Sequence, residues 1–482
     1  MKEKTTSLKF NMVMNAILTM SNIVFPLITF PYVTRILLPA GTGRVSFAVS
    51  IITYFSMFAQ LGIPTYGIRA CAKVRDNKEK LSRIVHELLM INMIMVLISY
   101  VAFGISLFAV PRFARDKELL LVISITILLN AMGVEWLYKA LEKYSYITIR
   151  SVVFKLIALV AMFALIHDES DYIIYGAITI FAASASNVLN FINLRKYVIL
   201  KPLGDYQLKK HLKPMLVFFS MSVATVIYTN LDSVMLGFMK DDAQVGIYTA
   251  AVKVKSILVT LVTSASAVLL PRASKFVDQG KMEDFYRILK KTLNFIIVVA
   301  LPMCIYFILF ANESILLLSG KAFADATLPM QIIMPTLLLI GITNLTGIQM
   351  MIPLGMERYV LYSEIGGALV DIVLNAILIP EYGAAGAALG TLVAELVVLL
   401  IQLFAVRDKL KELFAGISYL KIILAMLIAL ASVWWLATVD WSIFITLLLS
   451  ALIYFGVYGV LLLVMKDKLI TELFGQLMKK VK

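Results

Sequence analysis

Apolar runs of about twenty residues recur fourteen times along this chain, separated by short links that hold most of its charge. A backbone crossing hydrocarbon must satisfy its own N–H and C=O groups, and about 20 residues at 1.5 Å each cover the ~30 Å core. Runs of this length and number predict an all-α membrane protein with 14 transmembrane helices. Hydrophobic residues make up 61% of the chain and charged ones 15%, against about 45–50% and about 25% in soluble domains. The expected spans are 10–34, 42–62, 84–108, 118–138, 147–166, 173–194, 214–238, 246–270, 292–311, 326–350, 360–380, 384–405, 419–438 and 441–465.

The basic residues orient these spans. Lysines and arginines gather on cytoplasmic loops. With the N-terminus inside, 32 of the 44 fall on inside segments and 6 on outside links, while Arg44, Arg150, Lys155, Lys253, Lys255 and Lys421 lie within spans. The bias keeps its sign along the whole chain, which predicts cytoplasmic N- and C-termini. The net charge of +14 is then explained by topology and by anionic lipid headgroups, and no nucleic-acid partner is expected. No cleavable signal peptide is expected, because Phe10 opens a span too long for a signal's apolar region. Cys71 and Cys304, and His86, His167 and His211, show no disulfide or metal-ligand spacing.

Internal similarity organises the chain. Gly43-Arg44-Val45-Ser46-Phe47-Ala48 matches Gly246-Ile247-Tyr248-Thr249-Ala250-Ala251, and Arg69-Ala70 matches Arg272-Ala273, each pair 203 residues apart. Arg83-Ile84 and Arg287-Ile288 are 204 apart, and Tyr175-Gly176-Ala177 and Tyr382-Gly383-Ala384 are 207 apart. A six-span repeat is even, so both copies enter from the same side. The expectation is two parallel six-helix lobes related by a pseudo-two-fold along the membrane normal. Residues 1–194 form the first lobe, 195–213 a basic linker, 214–406 the second lobe and 407–465 a hairpin. In the tail, 466–482, Leu469, Leu473, Leu477 and Val481 recur every four residues, as in an amphipathic helix lying on the inner leaflet.

No outside link is long enough to hold the donor and acceptor of a glycan polymerase, and no Gly-rich phosphate loop of the Walker type is present. Two lobes with polar groups inside the spans suit alternating access around a cleft. Ionisable residues at membrane depth are costly and by default face a cavity or a partner. Glu135, Arg150, Lys155, Asp232, Lys253, Lys255, Glu364, Asp371 and Glu395 are such residues. Asp232, Asp371, Asn375 and Thr391 fall at comparable depth in the second lobe. Hard oxygen ligands of this kind suit a small cation or a proton; pairing with lysines or capping of kinks is the structural alternative. Asn11, Asn15 and Asn22 lie near one face of span 1, with Pro26 and Pro31 beyond them, which suits a gate helix or a static kink.

Several stretches carry a resemblance. Pro31-Tyr32-Val33-Thr34-Arg35-Ile36-Leu37 leading to Gly43, then Gln60-Leu61-Gly62 and Arg69, looks like the start of bacterial polysaccharide flippases. Asn230-Leu231-Asp232-Ser233-Val234-Met235-Leu236-Gly237 with Val245-Gly246-Ile247-Tyr248-Thr249-Ala250-Ala251, and Tyr382-Gly383-Ala384-Ala385-Gly386-Ala387-Ala388, are similar to later signatures of the same family. The chain thus resembles the Wzx/RfbX-like polysaccharide (O-antigen-type oligosaccharide) flippases of the MOP superfamily, over essentially its whole length.

The resemblance implies a non-enzymatic, ion-coupled flippase of the bacterial inner membrane. Its substrate would be an undecaprenyl-diphosphate-linked oligosaccharide, moved from the inner to the outer leaflet, with a polysaccharide polymerase and other assembly proteins as partners. Arg35, Arg44, Lys155 and Lys253 are the candidate cations for the diphosphate, with Asn11 and Asn15 as further lumen groups; Arg35 and Arg44 also suit outer-boundary anchors. No cofactor is implied beyond a coupling Na+ or H+, for which Asp232, Asp371 and Thr391 resemble a sodium site of the superfamily. Gly367 stands one turn from Asp371 where relatives of that kind have a polar ligand, and Asn375 could substitute for it. A lipid II flippase or a MATE-like drug exporter on the same fold are the neighbouring readings.

Overall fold

The computed structural model describes residues 8–439, 441–467 and 469–472. Among these, the regular elements are helices. Eleven helices are long and apolar enough to cross a membrane, or twelve when the broken pair Lys321–Ile333 and Thr336–Met351, bent by 46°, is one span. That break falls at Pro335, which has no N–H to continue the helical ladder. The chain is therefore a multi-pass membrane protein.

Two helices are far longer than a bilayer needs. α1 (Leu8–Gln60) has 53 residues and a non-helical Leu38 at φ 54°, directly before Pro39. At 1.5 Å per residue it is about 80 Å of chain against a ~30 Å core. Further helices follow: α2 (Ile63–Ala72), α3 (Lys78–Ala109), α4 (Pro111–Arg115), α5 (Lys117–Met132), α6 (Glu135–Ala140), α7 (Tyr144–Leu165), α8 (Tyr172–Ile180), α9 (Asn187–Asn193), α10 (Lys209–Met239), α11 (Asp242–Asp278), α12 (Met282–Leu309), α13 (Ala311–Ser319), α14 (Thr327–Ile333) and α15 (Thr336–Thr343). α16 (Glu357–Ala405) is the second long helix, with 49 residues and a break at Gly383, φ 54°. α17 (Leu410–Phe414), α18 (Tyr419–Val433) and α19 (Ile443–Val464) complete the order. α1 and α16 each cover two of the expected spans.

The contacts define two compact units, Met1–Gly246 and Ile247–Lys482. In the first, α1 packs on α3, α5, α7 and α10, and α10 also packs on α2. This places α10, which follows the basic linker, in the first unit. The reason is local: Gly62, at φ +73°, lies against α10 so closely that a Cβ there would sit 2.6 Å from the Met215 carbonyl oxygen and from Phe219 N. A second close crossing joins Gly43 and Gly246. A Cβ on Gly43 would fall 1.7 Å from the Asp242 carbonyl oxygen, and one on Gly246 would fall 2.0 Å from that of Pro39. Each glycine meets the residue four positions before the other, so the contact is reciprocal, as a two-fold relation between like segments requires.

In the second unit, α18 and α19 pair with each other and lean on α12 and α13. Pro302 in α12 has no N–H, so the Val298 carbonyl lacks its helical donor. Tyr458 of α19 donates its hydroxyl to that oxygen at 2.9 Å, and Tyr454 donates to the Pro302 oxygen at 3.1 Å. The amphipathic-tail expectation rests mainly on 473–482, which lies outside the described residues.

Candidate functional site

Inside the first unit, α7 carries two buried cations, Arg150 and Lys155. Arg150 is answered by charge and dipole. It donates to the Ser186 carbonyl at 2.6 Å and to Asn187 Oδ1 at 3.1 Å, and lies 3.6 Å from a Glu135 oxygen. Asn187 donates in turn to Asn130 Oδ1 at 3.3 Å. Asn130 lies on the wall of a cavity of about 380 Å³, lined also by Thr53, Ser56, Gln60, Thr126 and Ser222. Such walls offer hydroxyls and amides but no charge. None of the candidate cargo or ion residues named from the sequence lines this cavity, although Gln60 and Gly62 of the motif-like stretch do.

Lys155 has a different setting. Its ammonium donates to Ser21 Oγ at 2.9 Å and to Asn22 Oδ1. Both groups are neutral, and both belong to α1. Asn11, further back on α1, is buried, and neither side-chain atom has a hydrogen-bond partner among the described residues. Asn15 is exposed, as is Arg35, whose guanidinium donates to the Pro31 carbonyl at 2.5 Å.

Arg44 belongs to a charge network the sequence reading did not find. It lies 3.3 Å from Asp242 and 4.0 Å from Asp116, with its guanidinium 5.0 Å from the Tyr172 ring centre. Arg112 and Arg115 both pair with Asp242 and with Asp116. Both aspartates are buried. Burial pushes the Asp116 carboxyl above its ordinary range, and the neighbouring Asp242 adds to this, against the pull of Arg115 and Arg44. Three arginines are thus held by two carboxylates drawn from links far apart in sequence. The signal available beforehand was the run Arg112, Arg115, Asp116, with charges spaced one helical turn apart.

In the second unit, the expected carboxylate group gathers at the α16 hairpin. Asp371, Asn375 and Thr391 are buried. A methyl on Gly390 would sit 2.4 Å from Asn375 Oδ1 and 3.1 Å from Asp371 Oδ1. The absence of a side chain at Gly390 therefore lets these two oxygens approach the strand of helix that carries Thr391. Thr391 Oγ1 donates to the Ala387 carbonyl at 3.0 Å and shares a 2.9 Å hydrogen bond with the Tyr248 hydroxyl. Three of the four expected ion-site residues are thus neighbours in one unit. Asp232 is buried in the first unit, and Lys253 is half-buried in the second. No group of three or more His, Cys, Asp or Glu side chains suited to a metal occurs among the described residues.

Comparison with known proteins adds the following. The family model described as "Polysaccharide biosynthesis protein" matches residues 8–277. A protein of Escherichia coli K12 named "Putative O-antigen transporter" is 25% identical over 414 residues, covering 85% of this chain and 99% of that one. The "Probable flippase AglR" of Haloferax volcanii is 28% identical over 169 residues, 35% of each chain. Among solved structures, the lipid II flippase MurJ in an inward closed conformation superposes with a TM-score of 0.73 at 16% identity, covering 95% of this chain and 100% of that one. An inward-facing multidrug-resistance MATE family transporter of the MOP superfamily superposes with a TM-score of 0.57 at 14% identity, covering 84% and 99%.

Proposed function

This chain belongs to the polysaccharide biosynthesis protein family, and from that premise we propose that it is a flippase of the MOP type, a transporter and not an enzyme. Its cargo in this reading is an oligosaccharide on undecaprenyl diphosphate, moved from the inner to the outer leaflet of the bacterial inner membrane by alternating access. Cutting α1 at Leu38 and α16 at Gly383 turns the twelve apolar elements into fourteen spans. An even count with the basic links inside leaves both termini cytoplasmic. The reciprocal Gly43–Gly246 crossing supports a parallel repeat.

The observation that carries the proposal is Lys155. A cation at membrane depth costs about 2.5–3.5 kcal/mol on insertion scales, and this one is held by a hydroxyl and an amide with no carboxylate in ion-pair range among the described residues. A site of this kind suits an anion that comes and goes. The diphosphate supplies the charge, and its sugars, costing several kcal/mol per unpaired polar group in hydrocarbon, need the polar route. With the inside negative, outward movement of an anion gains about 2.3 kcal/mol per charge per 100 mV. Asp371, Asn375 and Thr391 are the candidate site for a coupling Na+ or H+, with Asp232 as a fourth group. Arg35, Lys253, Asn11 and Asn15 remain candidate cargo contacts, whereas Arg44 is taken up by Asp242 and Asp116.

The test is deletion and complementation. Loss of a surface glycan with unchanged peptidoglycan, restored by the wild-type chain and not by Lys155→Gln, is expected. Unchanged glycans with new drug sensitivity would assign the chain to drug export instead. Coupling identical to wild type in both Asp371→Ala and Asp232→Asn would end the ion-site reading.

A further inference from the structure

A second pocket, also about 380 Å³, opens at the other end of α3 from the Arg112 network. Its wall includes Tyr66, Arg69, Lys73, Lys210, His211 and Pro214. Arg69 and Lys73 are four residues apart at the end of α2 and share a face. Lys210 and His211 open α10.

The wall is fixed from behind by Glu87 of α3, which is fully buried. Its carboxylate accepts the Gln207 N–H at 2.7 Å, the Lys210 ammonium at 3.0 Å and His211 Nε2 at 2.7 Å. A carboxylate only accepts, so Nε2 carries the hydrogen. Nδ1 then meets the Tyr66 hydroxyl at 2.7 Å. Glu87 therefore positions the start of α10 and compensates the charge there. It does not compensate Arg69 and Lys73: among the described residues neither has a carboxylate within ion-pair distance. The C-terminal carbonyls of α2 offer about half a negative charge, less than the two full positive charges beside them.

One further feature narrows the ligand. Directly past His211, the α10 residues Leu212, Leu216 and Val217 are exposed and apolar. A basic pocket bordering an exposed apolar face fits an anion with a hydrocarbon tail better than a soluble one.

We propose that this pocket binds the phosphate or diphosphate headgroup of a membrane-embedded amphiphile, with Arg69 and Lys73 as its principal anion contacts. Placement at the cytoplasmic membrane boundary rests on the topology proposed above. Two sources share this chemistry: the diphosphate of the cargo before translocation, and an anionic phospholipid.

The full chain, purified into nanodiscs of zwitterionic lipid, is titrated with farnesyl diphosphate, and separately with phosphatidylglycerol added to the disc. The double variant Arg69→Gln/Lys73→Gln is expected to bind at least tenfold more weakly, and Arg69→Lys/Lys73→Arg to recover most of the loss. A tenfold loss for farnesyl diphosphate alone assigns the pocket to the cargo headgroup; an equal or exclusive loss for phosphatidylglycerol assigns it to phospholipid. Unchanged affinity for both probes would overturn the site. A wild-type chain that fails to restore surface glycan, yet shows the tenfold loss in the variant, would overturn the transport reading and leave the pocket standing.

Discussion

The two ends of α3 hold similar numbers of cations and treat them in opposite ways. At the Arg112 end, Arg44, Arg112 and Arg115 close on Asp116 and Asp242, and the charge is nearly cancelled. At the Glu87 end, the single buried carboxylate answers Lys210 and His211, while Arg69 and Lys73 face a pocket. The first arrangement suits a structural clasp, because each charge has a partner that offsets part of its desolvation. The second suits ligand binding, because positive potential is left over. The difference teaches that a count of basic residues says little about binding until each carboxylate partner is known.

Substitutions at the two ends should separate these roles. The largest effect is expected for Asp242→Ala, which strips the partner shared by three arginines. Breaking a buried pair on one side costs about 3–5 kcal/mol, and the thermal midpoint in detergent should fall accordingly. A loss of under 1 kcal/mol would mean that the network is slack. Gly43→Ala comes next. Its methyl would overlap the Asp242 carbonyl, and overpacking costs about 1–3 kcal/mol; a midpoint equal to wild type would show that this crossing opens without cost.

Asp116 offers a pH test of the same clasp. Its carboxyl is raised above 3.8 mainly by burial, so the folded state holds this proton more tightly than the unfolded chain does. The stability it lends is present at acid pH and falls as pH rises above about 3.8 through the folded value. Asp116→Asn should flatten that part of the midpoint-against-pH curve; a slope unchanged from wild type would exclude Asp116 as its source. Arg44→Gln should cost about 1 kcal/mol or less, because Arg44 is one-third exposed and solvent screens it. The smallest stability effect, within about 0.5 kcal/mol, belongs to Arg69→Gln/Lys73→Gln. A larger destabilisation there would turn the pocket into a second clasp and erase the contrast.

Much of the scaffold was readable in advance. Hydrophobic runs located α3, α7, α12 and α19, and the gap between the expected spans 360–380 and 384–405 coincides with the break at Gly383. Asp371, Asn375 and Thr391 stand out in the sequence as polar groups at comparable depth, and the structure brings Gly390, the neighbour of Thr391, against the first two. Nothing in the sequence marks Gly390, since only the crossing of the two arms shows that its missing side chain makes room for both oxygens. His211 looked isolated because its partners Tyr66 and Glu87 lie 145 and 124 residues away. On sequence alone Arg44 suits a lumen or boundary cation for the same reason: the link holding Asp116 and the turn holding Asp242 are distant in sequence.

By itself the sequence determined the solvent, the helices and the even spacing of basic links, because hydrocarbon acts on each segment separately and demands some twenty apolar residues whatever the neighbours are. The tertiary structure alone decided which cations are cancelled and which face open space. Ion pairing falls off within a few ångströms, so it depends on side chains that folding brings together from distant parts of the chain.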